Sequence, residues 1–156
     1  MTSAAALSSE FRKLPLPLAQ LSLAAVLQCG QSFRWSVYPL TRYTPQAGSD
    51  VPVPSHEYRF CLHDRVVCLR QTPDALHYRS VCPPSPTPLD DDTREAQTLS
   101  WLRDYFQLDV DLLLLYEEWS NRDPVFRNLR HRFSGLRMLR QDPFECLLSY
   151  VPQFMI

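Results

Sequence analysis

The hydrophobic period of this chain changes from two to 3.6 across Pro83-Pro84-Ser85-Pro86-Thr87-Pro88, and that switch limits its fold more than any single residue does. Before it, Tyr58, Phe60 and Leu62 alternate with Arg59, Cys61 and His63, as in a strand with one buried face. After it, apolar residues recur three and four positions apart, as on the packed side of a helix. Strands first and helices afterwards predict an α+β fold. The expected organisation is a flexible N-terminus over residues 1–13, an antiparallel sheet domain over 14–88, and the first helices of an incomplete helical domain over 89–156.

In the first part, Val66, Val67, Cys68 and Leu69 follow a turn at His63-Asp64, and residues 76–81 form a short strand after the Thr72-Pro73-Asp74 turn. Residues 33–37 read as a further strand. In Leu14-Pro15-Leu16-Pro17-Leu18 the prolines lack the N–H that a central ladder needs, so this segment is an edge strand or an extended entry. Together these predict an antiparallel meander of about four strands. Ser22 is the expected N-cap of a short helix over residues 23–27. Residues 41–54 are polar, proline-bearing and without periodicity, which predicts a mobile loop.

In the second part, Thr93 is the expected cap of a helix with Leu99, Leu102, Tyr105 and Phe106 on one side. Residues 110–119 form a second helix, with Leu112, Leu115, Tyr116 and Trp119 at helical spacing. Asp123-Pro124 starts a third, because proline at the first turn loses no helical hydrogen bond. Its expected apolar face is Val125, Phe126, Leu129 and Phe133, and Gly135 is its natural stop. Asp142-Pro143-Phe144-Glu145 is a strong start signal for a fourth, in which Phe144, Cys146, Leu147 and Leu148 are expected to be buried. That helix has only about two turns before Pro152, so its apolar residues ask for a partner surface.

The net charge of -1 conceals an uneven distribution. Residues 119–141 carry six arginines (Arg122, Arg127, Arg130, Arg132, Arg137, Arg140) and one acid, Asp123. The acids gather instead at Asp90-Asp91-Asp92, read as a solvated run and helix N-terminus, and over residues 104–118. Lys13 is the sole lysine, in the N-terminal approach, which argues against an amine nucleophile. Five cysteines without a C-x-x-C pair argue against a disulfide framework or a zinc site and for a reducing compartment. His56, His63 and His77 have no acid or cysteine at ligand spacing, so no metal site is expected. No apolar run approaches the roughly 18 residues of a membrane span, and no membrane partner is expected.

Three blocks of sequence, in order and at matching spacing, resemble the N-terminal region of eukaryotic 8-oxoguanine DNA glycosylases. They are Gly30-Gln31-Ser32-Phe33-Arg34-Trp35, Tyr105-Phe106-Gln107-Leu108-Asp109, and Gly135-Leu136-Arg137-Met138-Leu139-Arg140-Gln141-Asp142-Pro143-Phe144-Glu145-Cys146. The resemblance implies a twisted, TATA-binding-protein-like antiparallel sheet, then a helical domain with a helix-hairpin-helix. It implies base-excision repair of oxidised guanine opposite cytosine, with the damaged base swung out of the duplex because its glycosidic bond cannot be reached inside the stack. Oxidised guanine carries a hydrogen at N7 and guanine does not, so a backbone carbonyl aimed at N7 accepts from the lesion and repels the normal base. The family uses the glycine of the first block for this, which maps to Gly30; read from the residues alone, Gly30 is a turn glycine before a strand. Phe33 and Trp35 are expected in the sheet core, and Arg34 facing solvent or phosphate. Arg130, Arg132, Arg137 and Arg140 are candidate phosphate contacts, with a solvated helix face paired to the acids of residues 104–118 as the alternative. The implied partner is damaged double-stranded DNA, bound by a monomer without cofactor or metal, in the nucleus, with the mitochondrion as the alternative.

The family's reaction also needs a lysine amine that attacks the sugar C1′ and an assisting aspartate, on or beyond an L-P-G-V-G hairpin. No such hairpin occurs here, and no glycine follows Gly135. Where the family continues into a Ser/Asn-rich stretch, this chain reads Tyr150-Val151-Pro152-Gln153-Phe154-Met155-Ile156. The expectation is the N-terminal part of a glycosylase and abasic-site lyase, inactive by itself, with no catalytic residue assigned. The alternative is a non-catalytic DNA- or protein-binding module from a truncated transcript.

Overall fold

The computed structural model describes residues 11–40, 54–84 and 90–150, without the side chains of residues 149 and 150. The expected flexible N-terminus, up to residue 10, the expected mobile loop, up to residue 53, and most of the proline connector lie outside the described residues. The α+β expectation holds. Five antiparallel strands form one sheet in the order β1-β5-β4-β3-β2. They are β1 Arg12–Pro15, β2 Ser36–Pro39, β3 His56–Cys61, β4 Val66–Thr72 and β5 Ala75–Val81. The Leu14-Pro15 alternation is the edge strand, with Pro15 opposite Ala75 at the end of the ladder. The strand expected at residue 33 begins at Ser36, where pairing with Arg59 of β3 starts.

The chain forms two compact units interleaved in sequence: residues 1–18 with 34–99, and residues 19–33 with 100–156. Residues 19–33, read from the sequence as part of the sheet region, therefore group with the helices. The reason is their hydrogen bonding, which runs to residues more than 90 positions away in sequence. The boundary falls inside helix α2 (Asp91–Tyr105), between Leu99 and Ser100.

In the first unit, register places Tyr58 opposite Leu69 and Leu69 opposite Tyr78, with Phe60 opposite Val67 on the same face. All of these are buried, and Trp35 joins them 5.0 Å from Phe60 by ring centroids. The start of α2 is fixed to the sheet through polar groups. Glu95 accepts from the Ser80 N–H at 3.1 Å and its hydroxyl at 2.7 Å. Arg65 donates to the Arg94 carbonyl, Gln97 and Thr98. The Asp90 carboxylate accepts from the Thr93 N–H at 2.9 Å, so Asp90 caps α2 and the expectation for Thr93 is corrected. A carboxylate one position before the helix reaches the third N–H, which leaves Thr93 as its donor.

The opposite face centres on Glu57, whose side chain is 1% exposed. Its carboxylate accepts from Arg59 at 2.6 Å and from Arg70 at 2.8 Å. Arg59 lies over Tyr38, and both Arg70 and Arg79 lie over Phe11. Burial pushes the Glu57 carboxyl up, but the hydrogen bonds and charges of the two arginines outweigh it and hold it below its ordinary value.

In the second unit, Ser22 caps α1 (Leu23–Leu27) by accepting from the Ala25 N–H. Asp111 caps α3 (Leu112–Arg122), Asp123 caps α4 (Pro124–Leu129), and Asp142 accepts from the Phe144 and Glu145 N–H groups at the start of α5 (Pro143–Tyr150). A 3-10 helix, Arg130–Phe133, follows α4 before Gly135, whose φ is 73°. Leu21, Leu23, Val26, Leu27, Leu102, Tyr105, Phe106 and Leu112 are buried.

The apolar face of α4 is largely open, and the burial expected in α5 is corrected. Val125, Leu129 and Phe133 are exposed, and Phe126 is half-buried, edge-on to Tyr116 and Trp119. In α5, Phe144, Cys146, Leu147 and Leu148 are all exposed. Helical spacing places apolar residues on one side, but burial needs a second surface, and no described residue supplies it. Phe144→Ser is therefore expected to shift stability by less than about 0.5 kcal/mol in urea denaturation. A loss typical of a core phenylalanine, about 3 kcal/mol, would contradict this placement.

Candidate functional site

Gly30 lies just past the end of α1, with a φ of 85° that an L side chain rarely adopts. A Cβ at this position would meet no atom within 4 Å. The glycine is required by torsion, and the space beside it is open. Open space at an exposed main chain is what a flat ligand needs to approach a backbone carbonyl.

The next residue is held tightly. Gln31 donates from Nε2 to the Arg137 carbonyl at 2.8 Å and accepts at Oε1 from the Leu139 N–H at 3.0 Å. Its own backbone carbonyl accepts from the side chain of Gln141. On the other side of the same extended segment, Gln107 donates to the Met138 carbonyl at 2.9 Å, and the Arg140 N–H donates to the Tyr105 carbonyl at 2.8 Å. Gln107 has a φ of 51°, a left-handed conformation uncommon for a residue with a side chain. It is held there from two directions, since its own carbonyl accepts from Arg137 at 2.8 Å.

The three sequence blocks therefore meet in one place. Gln31 comes from the first, Gln107 from the second, and residues 137–141 from the third. The sequence does not mark the glutamines, because an uncharged amide carries no periodic or charge signal. Its partner reveals its role, and that partner lies 106 positions away for Gln31.

The candidate arginines separate into two kinds. Arg137 is 6% exposed and donates to the Gln20 carbonyl, the Gln20 side chain and the Gln107 carbonyl. Burial lowers its pKa from the usual guanidinium value, opposed by the charges of Asp111 and Tyr116. Its hydrogen bonds are spent inside the protein, so its reading as a phosphate contact is corrected to a structural one. Arg130, Arg132 and Arg140 are exposed; Arg130 donates to the Ser120 hydroxyl at 3.3 Å, and Arg140 pairs with Asp104 at 2.8 Å.

Around the first block, Trp35 is in the sheet core as expected, whereas Phe33 is 65% exposed. Arg34 is exposed, lies over the Phe60 ring and donates to the Cys61 carbonyl. Ser32 is buried with a hydroxyl that has no partner among the described residues. Removing an unpartnered buried hydroxyl relieves a desolvation cost, so Ser32→Ala is expected to leave stability unchanged or raise it by up to about 1 kcal/mol. Thermal unfolding checks this, and a marked fall in Tm would contradict it. Lys13 lies on the edge strand, paired with Asp74 at 3.2 Å. Among the described residues no group of three or more His, Cys, Asp or Glu side chains could hold a metal ion.

Comparison with known families decides the lineage: the sequence model of the 8-oxoguanine DNA glycosylase N-terminal domain matches residues 13–147. The chain belongs to this family. It is 30% identical over 140 residues to the N-glycosylase/DNA lyase OGG1 of Arabidopsis thaliana, covering 88% of this chain and 32% of that protein. It is 31% identical over 146 residues to the N-glycosylase/DNA lyase of Saccharomyces cerevisiae, covering 93% of this chain and 35% of that protein. The chain thus spans about a third of the length of these curated relatives. The fold is shared with the 8-oxoguanine glycosylase/lyase of Clostridium acetobutylicum in its apo form, with a TM-score of 0.65 at 21% identity, over 96% of this chain and 42% of that one. The same bacterial glycosylase in complex with double-stranded DNA containing cytosine opposite 8-oxoguanine matches with a TM-score of 0.62 at 21% identity, over 94% of this chain and 40% of that one. The family's N-terminal domain thus contains all three blocks that converge beside Gly30.

Proposed function

We propose that this chain carries the lesion-recognising part of an 8-oxoguanine DNA glycosylase and abasic-site lyase, and that these 156 residues alone do not release the base. The observation that carries the reading is Gly30, a left-handed glycine with open space beside it and a clamped neighbour. On this exposed main chain the Gly30 carbonyl accepts a hydrogen bond from N7–H of a flipped oxidised guanine and repels the lone pair of N7 in guanine. The partner is damaged double-stranded DNA, bound by a monomer in the nucleus.

Arg130, Arg132 and Arg140 supply sequence-independent phosphate contacts. Three such contacts predict a slope of log affinity against log salt of about -3. Exchanging Arg130 and Arg132 together for Gln is expected to reduce that slope to about -1, read by fluorescence anisotropy of a labelled duplex. A slope unchanged by the exchange would remove these residues from the interface.

The chemistry needs an amine nucleophile, and the only lysine of these residues is ion-paired on an edge strand. Incubation with a lesion duplex and borohydride is expected to trap no covalent adduct and to release no oxidised base. An adduct above background would contradict the inactivity. The exposed apolar residues of α4 and α5 favour a second reading, a module that binds a protein partner, and a lesion-blind chain would leave that reading standing.

A further inference from the structure

We propose that Gln31 is the positioning residue that aims the Gly30 carbonyl; this rests on the reading of Gly30 as the lesion contact. The Gly30 carbonyl and the Gln31 N–H belong to one planar peptide unit. Whatever fixes Gln31 anchors one end of that unit and narrows the directions its carbonyl can take, although Gly30 itself is conformationally free.

Gln31 is fixed at three points by residues 137–141, besides a contact of its Nε2 with the Cys29 Sγ at 3.2 Å. Its side-chain amide pairs with two backbone groups of one extended segment, the Arg137 carbonyl at 2.8 Å and the Leu139 N–H at 3.0 Å. These two groups flank residue 138 and point the same way, so the amide stands where a neighbouring strand would. Its backbone carbonyl holds the third point, accepting from Gln141. The segment is held from the other side as well, where Gln107 donates to the Met138 carbonyl and the Arg140 N–H to the Tyr105 carbonyl. One donor and one acceptor at that spacing match an amide, which neither a carboxylate nor an amine provides. The amide is half-buried, so water competes weakly for these bonds.

The device separates two tasks. Gly30 supplies a main chain that a base can approach, and Gln31 supplies the rigidity that a glycine lacks. A carbonyl free to swing would accept from N7–H of the lesion and turn away from N7 of guanine, and discrimination would be lost. A carbonyl that cannot turn imposes the repulsion.

The test uses the 156-residue chain, a duplex with 8-oxoguanine opposite cytosine, and the same duplex with guanine. Gln31→Met keeps length and volume without the side-chain hydrogen bonds; Gln31→Glu keeps the acceptor for the Leu139 N–H and loses the donor to the Arg137 carbonyl and the Cys29 Sγ. For each protein the readout is the ratio of lesion to undamaged affinity, with hydrogen exchange of the Leu139 amide by NMR as a reading independent of DNA. Gln31→Met is expected to lower the ratio about tenfold and to speed exchange at Leu139 about tenfold. Gln31→Glu is expected to keep Leu139 protected with an intermediate ratio. Gly30→Ala is the control for the underlying reading and is expected to abolish the preference. If Gly30→Ala discriminates like the wild type, the reading of Gly30 fails and the role of Gln31 with it. If Gly30→Ala loses the preference while Gln31→Met keeps it, with Leu139 exposed, only the positioning role is overturned. A Leu139 amide still protected in Gln31→Met overturns it too.

Discussion

Arg137→Ala is expected to destabilise the protein by about 2–3 kcal/mol, read as a lower urea midpoint at pH 7. The guanidinium is buried and ties together the Gln20 carbonyl, the Gln20 side chain and the Gln107 carbonyl. Truncation takes a donor from each of two half-buried carbonyls, of which Gln107 keeps only the Val110 N–H at 3.2 Å, and removes the packing of the side-chain stem. It also releases Gln107, whose left-handed backbone is held partly by this contact. Arg137→Lys is expected to recover less than half of the loss, since a single ammonium cannot reproduce three donors in one plane. A loss below about 1 kcal/mol would show that Arg137 is a surface group after all.

Glu57→Gln is expected to destabilise by about 2 kcal/mol at neutral pH, with a gap that closes in acid. The carboxylate is buried, but both arginines reach water, so the pair contributes less than a fully enclosed one. Its pKa in the folded protein lies below the ordinary 4.5. The stabilisation is therefore complete above 4.5 and is lost as pH falls through the lower folded value. Asp64 and Asp74 are shifted down as well, by hydrogen bonds from Arg65 and Thr72, so overall acid sensitivity is shared. The difference between wild type and Glu57→Gln isolates Glu57, because the amide resembles the protonated acid. A gap constant from pH 7 into acid would contradict the charge-based account.

The features legible in the sequence are the local ones. The alternation at Tyr58 and Phe60 is strand β3, Ser22 and Asp123 cap their helices, and Asp142-Pro143 starts α5, because each depends on neighbours within a few residues. Read from its neighbours, Gly30 is a turn glycine before a strand, which its φ of 85° fits; the role of lesion contact comes from the family resemblance. Tertiary placement was not. Arg137 and Arg140 lie three positions apart in one basic run, yet one is buried against backbone carbonyls and the other faces solvent. Charge alone cannot separate them. Likewise the spacing of Phe144, Leu147 and Leu148 defines an apolar side without stating whether anything covers it. Gln31 depends on residues brought close by the fold, and no window along the chain contains both partners.

On the proposed reading, Gly30 and the clamp around Gln31 tell oxidised guanine from guanine without the rest of a glycosylase. The most direct measurement is the affinity of the chain for a duplex with 8-oxoguanine opposite cytosine against the same duplex with guanine, at low salt, by competition anisotropy. Tighter binding to the lesion by about tenfold is expected, with a ratio near one for Gly30→Ala. Equal affinity of the wild-type chain for the two duplexes would contradict it.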